Sequence, residues 1–136
     1  MHNEADLQYA AGFLDGEGCF TITNRHYCRV KVLCENTYRP AIEWLHSKFG
    51  GRVRFDIAGK KANHRATHRW ELSDREAADF CALIAPYLRE KAEQALLVIA
   101  IQQTKGTLIG RRVAPAMMGE RHRLAEIMRD RKGRIA

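Results

Sequence analysis

The chain has 136 residues, 46% of them hydrophobic, and a formal net charge of +7 at neutral pH. That length and apolar content suit one folded domain with its own core and exclude an unstructured chain. No apolar run is long enough to span a bilayer, Ala95–Ile101 being far too short, and no basic-then-apolar leader opens the sequence, so a soluble cytosolic protein and no membrane partner are expected.

In chain order, Leu7, Ala10, Ala11 and Leu14 keep a helical spacing over Glu4–Asp15, and Gly16 and Gly18 stop that helix. Cys19 to Val32 has the alternation of a hairpin with its turn near Asn24-Arg25-His26. Phe20, Ile22, Val30 and Val32 form an apolar face, and Thr21, Thr23, Arg25, Arg29 and Lys31 a polar, cationic one. A second helix is predicted over Arg39–Phe49, with Pro40 in its first turn and Gly50-Gly51 as its stop. Val53, Phe55 and Ile57 alternate with Arg52, Arg54 and Asp56, and Trp70 and Leu72 with Arg69 and Glu71, giving two more strands around a loop over Ala58–Ala66.

Ser73 or Asp74 can cap a third helix, with Glu76 placed for a capping box. A fourth is predicted over Tyr87–Gln103, burying Leu88, Ala92, Ala95, Leu96 and Ile99, and a short basic helix over Glu120–Arg131. The order α-β-β-α-β-β-α-α predicts an α+β fold: a four-stranded antiparallel sheet with helices packed on one face. We read residues 1–136 as one domain, with a core over about 6–104 and an extension over 105–136.

Charge placement sharpens the functional reading. Between Arg52 and Arg69 lie six cations (Arg52, Arg54, Lys60, Lys61, Arg65, Arg69) against the single acid Asp56. A solvated basic hairpin is one reading; a surface that contacts phosphates is the better one. An uncovered sheet face of this kind fits the DNA major groove. Cys19, Cys28, Cys34 and Cys81 lack the close pairing that structural zinc needs, so reduced thiols are expected.

The segment Ala10-Ala11-Gly12-Phe13-Leu14-Asp15-Gly16-Glu17-Gly18 carries two further signals. Its small residues permit close backbone approach, either to a second copy about a two-fold axis or to another helix of the same chain. Its acids, Asp15 and Glu17, fall at a helix C-terminus, where the helix dipole is already negative. A divalent cation held by hard oxygen ligands would relieve that clash; a plain helix stop and strand start is the other reading.

This nonapeptide, between Tyr9 and Phe20, resembles the LAGLIDADG motif of homing endonucleases in its Gly-Phe-Leu-Asp-Gly-Glu-Gly form. The resemblance continues through Glu35-Asn36-Thr37, Ile42-Glu43-Trp44-Leu45, Phe49-Gly50-Gly51, Arg69-Trp70-Glu71-Leu72 and Pro86–Ala95, covering about 6–104.

The resemblance implies a metal-dependent endonuclease that cuts both strands of a long, near-palindromic DNA site, leaving short 3′ overhangs. One motif per chain implies a homodimer with Ala10, Ala11, Gly12 and Asp15 at its interface. It implies Glu17 and the Gly16 carbonyl as ligands of Mg2+ or Mn2+, with Lys91 and Asn36 at the catalytic periphery, Asn36 standing where relatives carry Gln. DNA would be met by Thr21, Thr23, Arg25, Arg29, Lys31, Arg52, Arg54, Arg69 and Glu71 on the strands and by Lys60, Lys61 and Arg65 in the loop. Such proteins are carried by introns and other mobile elements. A maturase acting on RNA, a non-cleaving DNA-binding protein and a basic protein that binds RNA nonspecifically are the rival readings.

Overall fold

The computed structural model describes residues 2–23, 27–59, 61, 63–106, 108–109, 112–113 and 115–133. Helix α1 spans Glu4–Glu17, strands β1 and β2 Gly18–Thr23 and Arg29–Asn36, helix α2 Arg39–Phe49, and strands β3 and β4 Arg52–Ile57 and Thr67–Ser73. Helix α3 (Asp74–Ile84) leads through a 3-10 turn (Ala85–Tyr87) to α4 (Ala92–Gln103). A turn over Thr104–Gly106, short strands β5 (Leu108–Ile109) and β6 (Arg112–Val113), and α5 (Pro115–Gly133) complete the chain. Among the described residues no helix is long and apolar enough to cross a membrane.

The main sheet is four-stranded and antiparallel in the order β1-β2-β4-β3. Alternation decides its faces. Phe20, Val30, Val32, Cys34, Trp70 and Leu72 are buried in one core with residues of α1, α2, α3 and α4, so the helices cover that face and leave the other open. The predicted α+β architecture is therefore the observed one. Trp70 centres the core: its indole N–H donates to the Gly50 carbonyl at 2.8 Å, and its ring meets Phe80 edge-on at 5.2 Å. Gly51 is required beside it. Its φ is +87°, and a Cβ there would stand 2.6 Å from the Glu71 carbonyl oxygen.

Several local expectations shift. Helix α1 runs past Gly16 to Glu17, with Asn3 as its N-cap accepting from the Asp6 amide at 2.7 Å. Ser73 precedes α3 but makes no side-chain capping bond; its hydroxyl accepts from Arg52 Nη2 at 2.8 Å instead. Helix α4 begins at Ala92 rather than Tyr87. Pro86 sits in the 3-10 turn, and the amides of Arg89 and Lys91 donate to the Asp15 carboxylate instead of to helical carbonyls.

That helix also presents a different face from the one expected. Ala95, Leu97, Val98 and Ile101 turn inward, and Leu96 is 57% exposed. Near the C-terminus, α5 starts at Pro115 rather than Glu120, and the β5–β6 pair precedes it.

Candidate functional site

The end of α1 is tied to the start of α4 by a reciprocal clasp. Asp15 accepts hydrogen bonds from the Arg89 amide through Oδ2 at 2.8 Å and from the Lys91 amide through Oδ1 at 3.1 Å. Lys91 returns the contact, its Nζ donating to the carbonyls of Leu14 at 3.2 Å and Gly18 at 2.6 Å. A cation on the last carbonyls of a helix is favoured by the helix dipole. Hydrogen bonds to a charged group each contribute about 1.5–3 kcal/mol, so the clasp fixes the backbone on both sides of Gly16-Glu17. Lys91 is thus a half-buried anchor at the cap of α4.

Gly18 makes this close turn sterically possible. A Cβ there would stand 2.2 Å from Leu14 Cδ1 and 2.7 Å from the Leu14 carbonyl oxygen. At Gly12 and Gly16 a Cβ would meet nothing within 4 Å, so nothing within the described chain requires glycine at these exposed positions. Glu17 is exposed, and its carboxylate has no hydrogen-bond or ion-pair partner among the described residues.

Cys34, paired with Gly18 across the strands, lies behind this corner. Burial, followed by the nearby Glu17 and Glu35 carboxylates, pushes its thiol up to about 12. Among the described residues of one chain, no group of three or more His, Cys, Asp or Glu side chains is placed to hold a metal. At this corner one chain offers an exposed hard-oxygen carboxylate beside a backbone carbonyl.

The open sheet face carries the polar residues that alternation placed there. Thr21 pairs with Lys31, Leu33 with Glu71, and Glu35 with Arg69; beyond them Arg52 pairs with Glu71 and Arg54 with Arg69. Acids interleave the cations: Lys31 bonds Glu71 at 3.2 Å, Arg29 bonds Asp74 at 3.2 Å, and Arg69 grips Glu35. Arg54 stands opposite Arg69, a like-charge juxtaposition that destabilises a bare sheet and favours an anion over it. Arg54, Lys61 and Arg65 are exposed and without an ion-pair partner among the described residues. Thr23 is exposed at the end of β1. Arg25 and Lys60 lie outside the described residues.

Two site expectations are corrected. Asn36 shares the parity of Val32 and Cys34, not that of the open face. Its Oδ1 accepts from the Tyr38 amide at 2.7 Å, forming the turn that leads into α2. Glu35 takes the outward position instead. The parity shared by Lys31, Leu33 and Glu35 was the available signal. Ala10 and Ala11 are fully buried in the chain's own core, so their small size serves packing inside the subunit and they offer no surface to a partner.

Helix α1 leaves Glu4, Ala5, Gln8, Tyr9, Gly12, Gly16 and Glu17 exposed. Beside Tyr9, which meets Trp44 edge-on at 4.9 Å, a shallow groove is lined by Tyr38, Pro40 and Trp44.

The comparisons agree with this architecture. No protein-family model and no curated protein sequence matches the chain. Solved structures do. The homing endonuclease I-CvuI, in complex with the I-CreI target, shares 20% identity at a TM-score of 0.75, over 94% of this chain and 82% of that one. The archaeal intron-encoded homing endonuclease I-Vdi141I, complexed with DNA, gives 17% identity and a TM-score of 0.73 over 96% and 86%. The homing endonuclease I-TnaI gives 17% and 0.60 over the full length of both chains. The chain has the fold of the LAGLIDADG homing endonucleases.

Proposed function

We propose that the chain is one subunit of a homodimeric LAGLIDADG homing endonuclease that makes a double-strand break in DNA by divalent-metal-dependent phosphodiester hydrolysis. The observation that carries this reading is the unpartnered Glu17 carboxylate, held on a fixed backbone at the edge of an open, cationic sheet face. The structural neighbours I-CvuI and I-Vdi141I are complexes with DNA, and the open sheet face is the surface that would meet it here.

In this reading Glu17 and the Gly16 carbonyl would hold Mg2+ or Mn2+, which when bound would supply Lewis acidity at the phosphodiester. Lys91 keeps the Gly18 and Leu14 carbonyls in place and so sets where Glu17 points. Gly12 and Gly16, which nothing in the subunit requires to be small, bring two copies of α1 together and two Glu17 carboxylates near one axis. Identical halves imply a near-palindromic site, and the resemblance to the family implies short 3′ overhangs. The chain would act as a single domain, with residues 105–136 extending its core.

The test is a randomised duplex library incubated with the purified protein and Mg2+, the cut ends being sequenced. Metal-dependent cuts are expected, and Glu17→Gln should lower cleavage by at least about a thousandfold, as removal of a group acting at the reacting centre does, while DNA affinity stays within about twofold. Binding without cleavage by the unaltered protein would make it a non-cleaving DNA-binding protein, and a monomer on sizing chromatography in the presence of DNA would remove the dimer.

A further inference from the structure

Beneath the start of β2 lies a group of buried cations that neither the core nor the catalytic corner uses. Arg121 of α5 is 1% exposed, yet its guanidinium meets only neutral acceptors among the described residues. Its Nε donates to Thr104 Oγ1 at 2.9 Å, Nη2 to the Thr104 carbonyl at 3.4 Å and Nη1 to the Tyr27 carbonyl at 3.4 Å. Lys105 lies nearby, also buried, with its ammonium 4.6 Å from the centre of the Tyr27 ring. It donates to Asp74 Oδ1 at 3.0 Å, while Asp74 Oδ2 holds Arg29 on the open face. Three segments distant in sequence (Tyr27–Arg29, Thr104–Lys105 and α5) thus meet at one point.

Burying two cations close together against a single carboxylate is costly. Desolvation, opposed by the hydrogen bond to Asp74 and reinforced by Arg121, lowers the Lys105 pKa. What the arrangement secures is geometric. Cys28 has φ +59°, a left-handed conformation that a residue with a side chain keeps only when its surroundings over-determine it. The orientation of the Tyr27–Cys28 peptide sets that φ, and the carbonyl of that peptide is the one Arg121 grips.

We propose that Arg121 is a positioning residue for sequence recognition: α5 bolts the start of β2, and through it the pose of the β1–β2 hairpin on the open face. This rests on the DNA-reading function above. Loss of the bolt blurs discrimination at the base pairs met by Thr21, Thr23, Arg29 and Lys31 and leaves the chemistry at Glu17 unchanged.

The test uses the full chain carrying Arg121→Met, which keeps packing volume and removes the hydrogen bonds. Amide exchange along Ile22 and Arg29–Val32 should accelerate on the order of tenfold, as losing a charged hydrogen bond at a local opening allows, while α2 and β3 keep their rates. In the library experiment, preference should weaken in one contiguous block per half-site, with the maximal cleavage rate on the best site retained.

Acceleration spread evenly through the sheet, or unchanged preference at every base pair, overturns the proposal. Should Arg121→Met fail to fold, Thr104→Val, which removes the hydroxyl that accepts from Nε and donates to the Ile101 carbonyl, is judged by the same two readouts. If the unaltered protein shows no sequence-selective cutting, the endonuclease reading falls and this proposal with it; the exchange arm still shows whether Arg121 holds the hairpin.

Discussion

In hairpin β1–β2 the described outward cations are already engaged, Arg29 with Asp74 and Lys31 with Glu71. In hairpin β3–β4, Arg69 is engaged by Glu35 and Arg52 leans on the Ser73 hydroxyl, but Arg54, Lys61 and Arg65 have no ion-pair partner among the described residues. The contrast assigns different work to side chains of one kind. A bare cation adds its full charge to phosphate binding and counterion release. A paired one must exchange its acid for a new acceptor, and at this exposure the pair contributes at most about 1 kcal/mol, so exchange is cheap. The displaced carboxylate then faces DNA, where only a donor such as an exocyclic amine satisfies it. On the proposed DNA-binding reading, paired positions select and bare positions hold.

The largest effect is expected at the bare hairpin. Arg54→Ala should weaken binding to every duplex alike and reduce the slope of log affinity against log salt by about 0.9, one phosphate contact. Titrations on cognate and random duplexes over a salt series measure this, and a loss confined to the cognate duplex would invert the comparison. A smaller effect of opposite sign is expected for Glu35→Gln, which releases Arg69. Affinity for random DNA should rise a few-fold, and the salt slope should steepen by about one contact, while preference for the best site falls. Unchanged random-sequence binding would mean that the Glu35–Arg69 pair does not restrain the face.

The mildest effect lies behind that pair. The Cys34 thiol is raised from 9.0 to about 12, so the folded chain keeps a proton that the unfolded chain releases above pH 9.0. Stability should therefore fall as pH rises through that window, by about 1.4 kcal/mol per pH unit for this thiol. Cys81, raised by burial, adds a fall of the same sign. Denaturant melts of the parent and Cys34→Ala between pH 9.0 and 11 measure the difference, and identical slopes would discount the shift.

Much of this was legible in the sequence because alternation is a strong local signal. Val30, Val32, Trp70 and Leu72 announced the inner face, and Arg52, Arg54 and Arg69 the outer one. The motif placed Asp15 and Glu17 at the helix end. What local pattern could not supply was competition between distant partners. Whether Ala10 and Ala11 meet a second subunit or the chain's own core depends on how α3 and the 3-10 turn close over α1. The late start of α4 depends on Asp15 taking its amides across 74 and 76 residues. Asn36 and Glu35 differ by a single position, which in a strand exchanges one face for the other, and it is Glu35 that shares the outward parity. Arg121 gave no signal, since a buried arginine inside a basic helix looks like any solvated one.

Strand β3 carries one more lesson, for anyone who would refit this scaffold to a new DNA sequence. Asp56 has φ +57°, and the pairing with β4 slips between Arg54 and Ile57. The slip shifts the β4 partner of each residue past Arg54 by one position, while exposure goes on alternating through Ile57, so cross-strand neighbours beyond it cannot be assigned by counting along the strand. The Asp56 amide donates to buried His68 Nδ1 at 3.1 Å, which locks the irregularity to the opposite strand. A transplanted β3–β4 loop must therefore bring its own kink and its own anchor in place of His68. Without them, the new residues would meet β4 in a register one position off.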